Sequence, residues 1–262
     1  MTSPLELWIT SEAGSFGLEL ARMTGVIAAA PLAWTFAPVR VKAALIVVTT
    51  VVLHGPLHEK AVVPSHLTSM LLALVAEIAL GLALGFCARL ALAVGEIAAD
   101  SIAPAMGLGA AQMFDPSLGG QGTVLSKLIR HVAILVALTT GLHHVLLGAL
   151  FHSFRVVPPG TLFQASSLTP SIQTMVSETL LAGVTLALPF LAVLVITQLA
   201  LAFVARAAPQ VQIFSIGFAV TLGTGALLWV FFAPDVVVQL STQTGALEHN
   251  IERLLSALEV RP

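Results

Sequence analysis

The run LTSMLLALVAEIALGLALGFCARLALA, residues 67–93, stays apolar for longer than the roughly 20 residues a helix needs to cross a bilayer. Its two charges, Glu77 and Arg89, stand out, because a charge at the centre of a membrane helix costs about 2.5–3.5 kcal/mol on insertion scales. Both are expected to face protein, water or the interface, with Arg89 snorkelling from a helix end as the plainer alternative. Gly81 and Gly85 form a GxxxG pair, which permits close helix approach but arises easily by chance in a chain rich in Ala and Gly.

The remaining sequence agrees on the class. Of 262 residues, 57% are hydrophobic and 9% charged, against about 25% charged in ordinary soluble domains. Such a chain cannot cover itself with polar surface and reads as a polytopic membrane protein. The formal net charge of −2 offers no basic footprint for nucleic acid. A lone Cys87 excludes an internal disulfide framework and a multi-cysteine metal site. The opening residues MTSPLELWITSEAGS carry Glu6 and Glu12 and no basic residue, so no cleaved signal is expected.

Further apolar segments cover about 16–36, interrupted by Pro31, and 43–53, which is short for a span. That short run is expected to be one arm of a hairpin or a helix buried in protein. A segment over 123–154 opens with Lys127, Arg130 and His131. Residues 172–204, with Glu178, Pro189 and Gln198 inside, and 211–232 form a long hairpin, because the turn ARAAPQ at 205–210 is too short for anything but antiparallel neighbours. After Pro234 the pattern changes: Leu247, Ile251, Leu254, Leu255 and Leu258 keep helical spacing among Glu248, Glu252 and Arg253. This predicts an amphipathic helix on a partner or the membrane surface. The expected organisation is one integral membrane domain over 1–232 and an amphipathic tail over 233–262. Basic residues Arg40, Lys42, Lys60, Arg155 and Arg206 fall in successive connections and give no orientation by the positive-inside rule.

Between the apolar runs lies MGLGAAQMFDPSLGGQG, residues 106–122. Gly107, Gly109, Gly119, Gly120 and Gly122 open conformations closed to other residues, and the Asp115-Pro116 step disfavours helix at Asp115. Irregular backbone is expected, yet it carries Met106, Met113 and Phe114. Apolar side chains on a glycine-jointed loop suit a hydrophobic seal. A surface loop resting on the bundle is the simpler reading of the residues alone.

Enzyme motifs are absent or incomplete. His58-Glu59 starts like a zinc-protease helix, but Val62 stands where the second ligand belongs. His143 and His144 are adjacent and are expected to point apart on a helix. No GxSxG elbow occurs, GLGAAQ at 107–112 and GTGALL at 223–228 lack the third glycine of a dinucleotide loop, and no Walker lysine follows a glycine loop. Glu77 and Glu178 could serve a proton path, but a helix–helix hydrogen bond is the favoured reading for either.

Several stretches together resemble one family: RVKAAL at 40–45, GE at 95–96, MGLGAAQMFDP at 106–116, the GLHH to SFRVVPPG run over 141–160, and RAAPQVQIFSIGF at 206–218. They are similar to the FliR/SctT family, the export-gate membrane proteins of flagellar or injectisome type III secretion, over about residues 16–232. The resemblance implies a non-enzymatic, cofactor-free gate subunit with an all-α membrane fold of long helical hairpins. It implies assembly with FliP/SctR-like, FliQ/SctS-like and FlhB/SctU-like subunits in the bacterial inner membrane, passing unfolded substrates. It maps a plug loop onto 106–122, sealing with Met106, Met113 and Phe114 beside a methionine ring of the FliP-type subunits. Gly107, Gly109, Gly119 and Gly120 would be the joints, beside Asp115 and Pro116. Partner or packing positions would be Arg22, Arg40, Lys42, Glu96, Arg206, Pro209, Gln210 and Gly217. Through ADSIAP, 99–104, the interval from Glu96 to Met106 is about one helical turn longer than the family pattern. The HH and SF…P.G features lean towards flagellar members. An injectisome subunit, a stand-alone solute carrier and an intramembrane hydrolase are the alternatives.

Overall fold

The structure is a computed structural model that describes residues 4–31, 33–57, 61–64, 66–108, 124–163, 167–208 and 213–258. Every long element among them is an α-helix: α1 (Pro4–Ala29), α2 (Val39–Leu57), α3 (Leu67–Ala105), α4 (Val124–Thr139), α5 (Leu142–Val156), α6 (Leu168–Ala207) and α7 (Ile213–Ser256), with a 3-10 turn at Ala33–Phe36. Three of them, α3, α6 and α7, are long and apolar enough to cross a membrane, or four spans if the broken pair α4 and α5 counts as one. The short arm of the sequence reading is α2, which packs along α1 as a hairpin partner.

Two boundaries differ from the sequence pattern. The expected single segment over 123–154 breaks at Gly141, whose φ of 83° places it in the left-handed region and caps α5; glycine reaches that region without a Cβ clash. Conversely, the expected break near Pro234 does not occur, since Pro104, Pro189 and Pro234 all lie inside helices. A proline in a membrane helix is tolerated where neighbours support the carbonyl it leaves unbonded.

The chain divides into two compact units. The first comprises residues 1–91, 137–176 and 244–262. Here the GxxxG pair is used inside the chain. A Cβ on Gly81 would strike the Arg22 carbonyl of α1, and one on Gly85 would lie 2.7 Å from the Val26 carbonyl oxygen. Gly25 answers from α1, where a Cβ would lie 2.5 Å from the Ile78 carbonyl oxygen. Bare backbones therefore meet along this crossing, the geometry small residues permit. In α5, Leu142, Leu146, Ala149, Leu150, Ser153 and Phe154 are buried, a stripe at helical spacing. The tail from residue 244 onward also belongs to this unit: Leu247, Ile251, Leu254, Leu255 and Leu258 are all buried within the chain. This corrects the expectation that their face rests on a partner or on the membrane.

The second unit comprises residues 92–136 and 177–243. Gly183 of α6 lies against α3, where a Cβ would come within 2.7 Å of the Ile97 side chain. Phe190 of α6 packs between Trp229 and Phe232 of α7, with centroids 5.1 Å apart in each pair. The end of α3 and the start of α4 flank the glycine-rich stretch.

Candidate functional site

The candidate site is the root of that stretch, built from the last turn of α3. A helix end leaves carbonyls without intrahelical partners, and in apolar surroundings each must be met by protein. Three hydrogen bonds and one shared hydroxyl meet them here. The Gly107 amide donates to the Pro104 carbonyl (3.0 Å) and the Leu108 amide to the Ala103 carbonyl (3.0 Å). With Gly107 at φ 84°, this is the double bond of a Schellman cap. The Gln198 Nε2 of α6 donates to the Ala105 carbonyl (2.9 Å). The Thr221 hydroxyl of α7 stands 3.3 Å from the Met106 carbonyl and shares its one proton with the Gly217 (3.0 Å) and Phe218 (3.2 Å) carbonyls of its own helix.

Met106 itself is 3% exposed. Its thioether lies over Gly225 of α7, where a Cβ would come within 2.5 Å of Met106 Cε and Cγ. The Phe218 ring lies beside Gly107, 3.0 Å from where a Cβ would stand. Met106 is thus buried in the turn after Ala105, the last residue of α3, where the sequence reading has it on a mobile loop. Leu108 is the last described residue before the loop. Gly109, Met113, Phe114, Asp115, Pro116, Gly119 and Gly120 lie outside the described residues, as do Pro209 and Gln210.

Across the loop's two stems, Glu96 of α3 accepts two bonds from Arg130 of α4, Nε to Oε1 at 2.8 Å and Nη2 to Oε2 at 2.9 Å. A two-pronged guanidinium–carboxylate pair fixes orientation as well as distance. Glu96 and Arg130 were both noted from sequence; their pairing was not.

The second concentration of polar groups lies inside the first unit. Arg22 is fully buried and Glu77 nearly so. Arg22 Nε donates to Glu77 Oε2, Nη1 to Ser153 Oγ (3.2 Å) and Nη2 to the Val157 carbonyl (2.9 Å). The Phe154 ring stacks 4.3 Å from the guanidinium carbon. The Gly160 amide donates to Glu77 Oε1 (2.9 Å). Gly160 has φ 89°, and a Cβ there would strike the Val62 carbonyl. Ser153, Phe154, Val157 and Gly160 of the SFRVVPPG motif are thereby pinned to α1 and α3. Glu77 is a helix–helix ligand of Arg22, as favoured from sequence.

A third cluster joins α1 to α2. His54 Nδ1 faces Glu19 Oε2 at 3.0 Å and Nε2 faces Glu12 Oε2 at 3.2 Å, with Phe16 edge-on at 5.5 Å. Burial pulls the His54 pKa down, but the two carboxylates outweigh it and the net direction is up from 6.5.

The other singled-out residues are dispersed. Arg40 and Arg206 are exposed and Lys42 half-buried; Gly217 faces Leu201 across the α6–α7 hairpin, 3.9 Å from where a Cβ would stand. Arg89 is exposed in the body of α3, and Glu178 is exposed on α6. The rings of His143 and His144 lie 4.0 Å apart, against the expectation that they point apart; in the first turn of α5 no preceding turn restricts their rotamers. Ser153, Gln198, Thr221 and Gly225 were missed, because each acts through a partner remote in sequence.

Residues 13–246 match bacterial export proteins, family 1. The chain belongs to this family. It is 33% identical over 216 residues to the flagellar biosynthetic protein FliR of Escherichia coli (strain K12), covering 82% of each chain. It is 28% identical over 161 residues to FliR of Bacillus subtilis (strain 168), covering 59% of this chain and 61% of that one. The Yop proteins translocation protein T of Yersinia pestis is 26% identical over 193 residues, covering 73% of this chain and 74% of that one. The family match takes in the glycine-rich stretch and every member of the three polar clusters except Glu12. The FliR/SctT resemblance read from the motifs therefore holds.

Proposed function

We propose that this protein is a subunit of the type III protein export gate of the flagellar class, placed in the bacterial inner membrane. It works only in assembly with FliP/SctR-like, FliQ/SctS-like and FlhB/SctU-like chains, and performs no catalysis of its own. The loop over 106–122 closes the path of unfolded substrates, with Met113 and Phe114 as its apolar stoppers and Met106 as its root. Family membership supports the export role, with a FliR protein covered over 82% of its length.

One structural observation carries the assembly part. In the most apolar windows of α6 and α7, only 28% and 17% of residues are buried inside the chain. Leu181, Ile196, Phe203, Val230 and Phe231 are all more than 60% exposed. Water cannot cover such a surface; lipid, unlike subunits or both must. Native mass measurement after gentle extraction tests this. The expected result is one copy of this chain bound among several unlike chains, and a stable free monomer or small homo-oligomer would contradict it.

A further inference from the structure

Phe218, Thr221 and Gly225 stand at i, i+3 and i+7 on α7, so they share one face. That face is a cradle for the end of α3. Phe218 lies on Gly107, the Thr221 hydroxyl stands 3.3 Å from the Met106 carbonyl, and Gly225 leaves the space that the Met106 side chain fills. Glycine inside a helix is destabilising relative to alanine, but at position 225 it leaves the space the thioether occupies. Methionine is unbranched and has several rotatable bonds, so it seats in an irregular socket and leaves it without backbone strain. Gln198 of α6 holds the preceding carbonyl, which ties the same root to both arms of the hairpin.

We propose that Met106 in the Gly225 socket is a latch that holds the root of the gate, Met106 and Gly107, against α7. Met106, Gly225, Thr221 and Gln198 are positioning residues for the gate. The root is released when the thioether leaves the socket or when α7 moves from the end of α3. This rests on the gate reading above, and deepens it by naming what holds the stopper rather than what forms it.

A reversible cross-link tests the latch. Met106→Cys and Gly225→Cys are introduced with Cys87→Ala, so that no other thiol of this chain competes, and the full gate is assembled in membranes. Under oxidant the pair is expected to form a disulfide in the resting gate and export of a reporter substrate is expected to be lost; reductant restores it in the same sample. A disulfide that forms while export continues overturns the latch, and so does a folded, assembled gate in which the pair does not cross-link. Gly225→Ala supplies a second readout: it displaces Met106, and resting conductance should rise several-fold while partner chains still co-purify. Unchanged conductance overturns the proposal. The two readings fail separately. If removing the loop leaks ions but the cross-link leaves export untouched, only the latch is wrong; if removing the loop causes no leak, the gate reading itself fails.

Discussion

Arg22 is among the largest fully buried side chains of the protein, and it is charged. Its guanidinium is met by a carboxylate, a hydroxyl, a carbonyl and an aromatic face, so the desolvation of the charge is compensated in place. Removing one partner of a buried pair leaves the other charge uncompensated, which typically costs 3–5 kcal/mol. Arg22→Met is therefore expected to destabilise the protein by about 3–5 kcal/mol, seen as a lowered unfolding midpoint of the extracted gate. Adding Glu77→Leu should recover part of this loss, but not all, because the Gly160 amide and the Val157 carbonyl then lack partners. A single substitution within about 0.5 kcal/mol of wild type would show that the network does not hold this unit. From sequence, Glu77 was recognisable as an anomaly and Arg22 as a candidate. Their pairing was not, since Arg22 reaches partners 55, 131 and 135 positions away and spacing carries no such information.

At the scale of elements, α1 and α2 are joined by an imidazole with an acceptor at each ring nitrogen. A neutral ring can donate from only one nitrogen, whereas the charged form donates from both. Because the folded-state pKa lies above 6.5, the stabilisation is fully present below 6.5 and is lost as pH rises through the raised value. Amide hydrogen exchange along α1 and α2 should accordingly grow faster, relative to the rest of the chain, in a series running from below pH 6.5 into the alkaline range. His54→Gln should flatten that dependence; an identical pH profile in the variant would exclude the contact as its source. Element boundaries were partly legible. The α6–α7 hairpin followed from its short turn, and the tail helix from its leucine spacing. The break at Gly141 was missed because the apolar pattern runs straight through it. The continuity of α7 through Pro234 was missed because proline ordinarily ends a helix in water, where no neighbour supports the orphaned carbonyl. The Schellman cap at Gly107 was read only as a flexible joint, since a glycine that ends a helix and one that loosens a loop look alike in one sequence.

For the whole molecule, the membrane class was evident from composition, and the family from motifs spread over most of the chain. What covers the exposed apolar faces of α2, α6 and α7 was not legible, because lipid-facing and subunit-facing surfaces use the same residues. The glycines pointed to a loop from Met106 onward, most of which lies outside the described residues; the contacts of Ala105, Met106 and Gly107 with α6 and α7 came only from the structure. The central claim is that residues 106–122 stop a protein-conducting path. Ion conductance of membranes carrying the assembled gate, with Gly107–Gly120 deleted, tests it most directly. The account predicts normal assembly and a conductance well above wild type; a deleted gate that assembles and stays as tight as the intact one would contradict it.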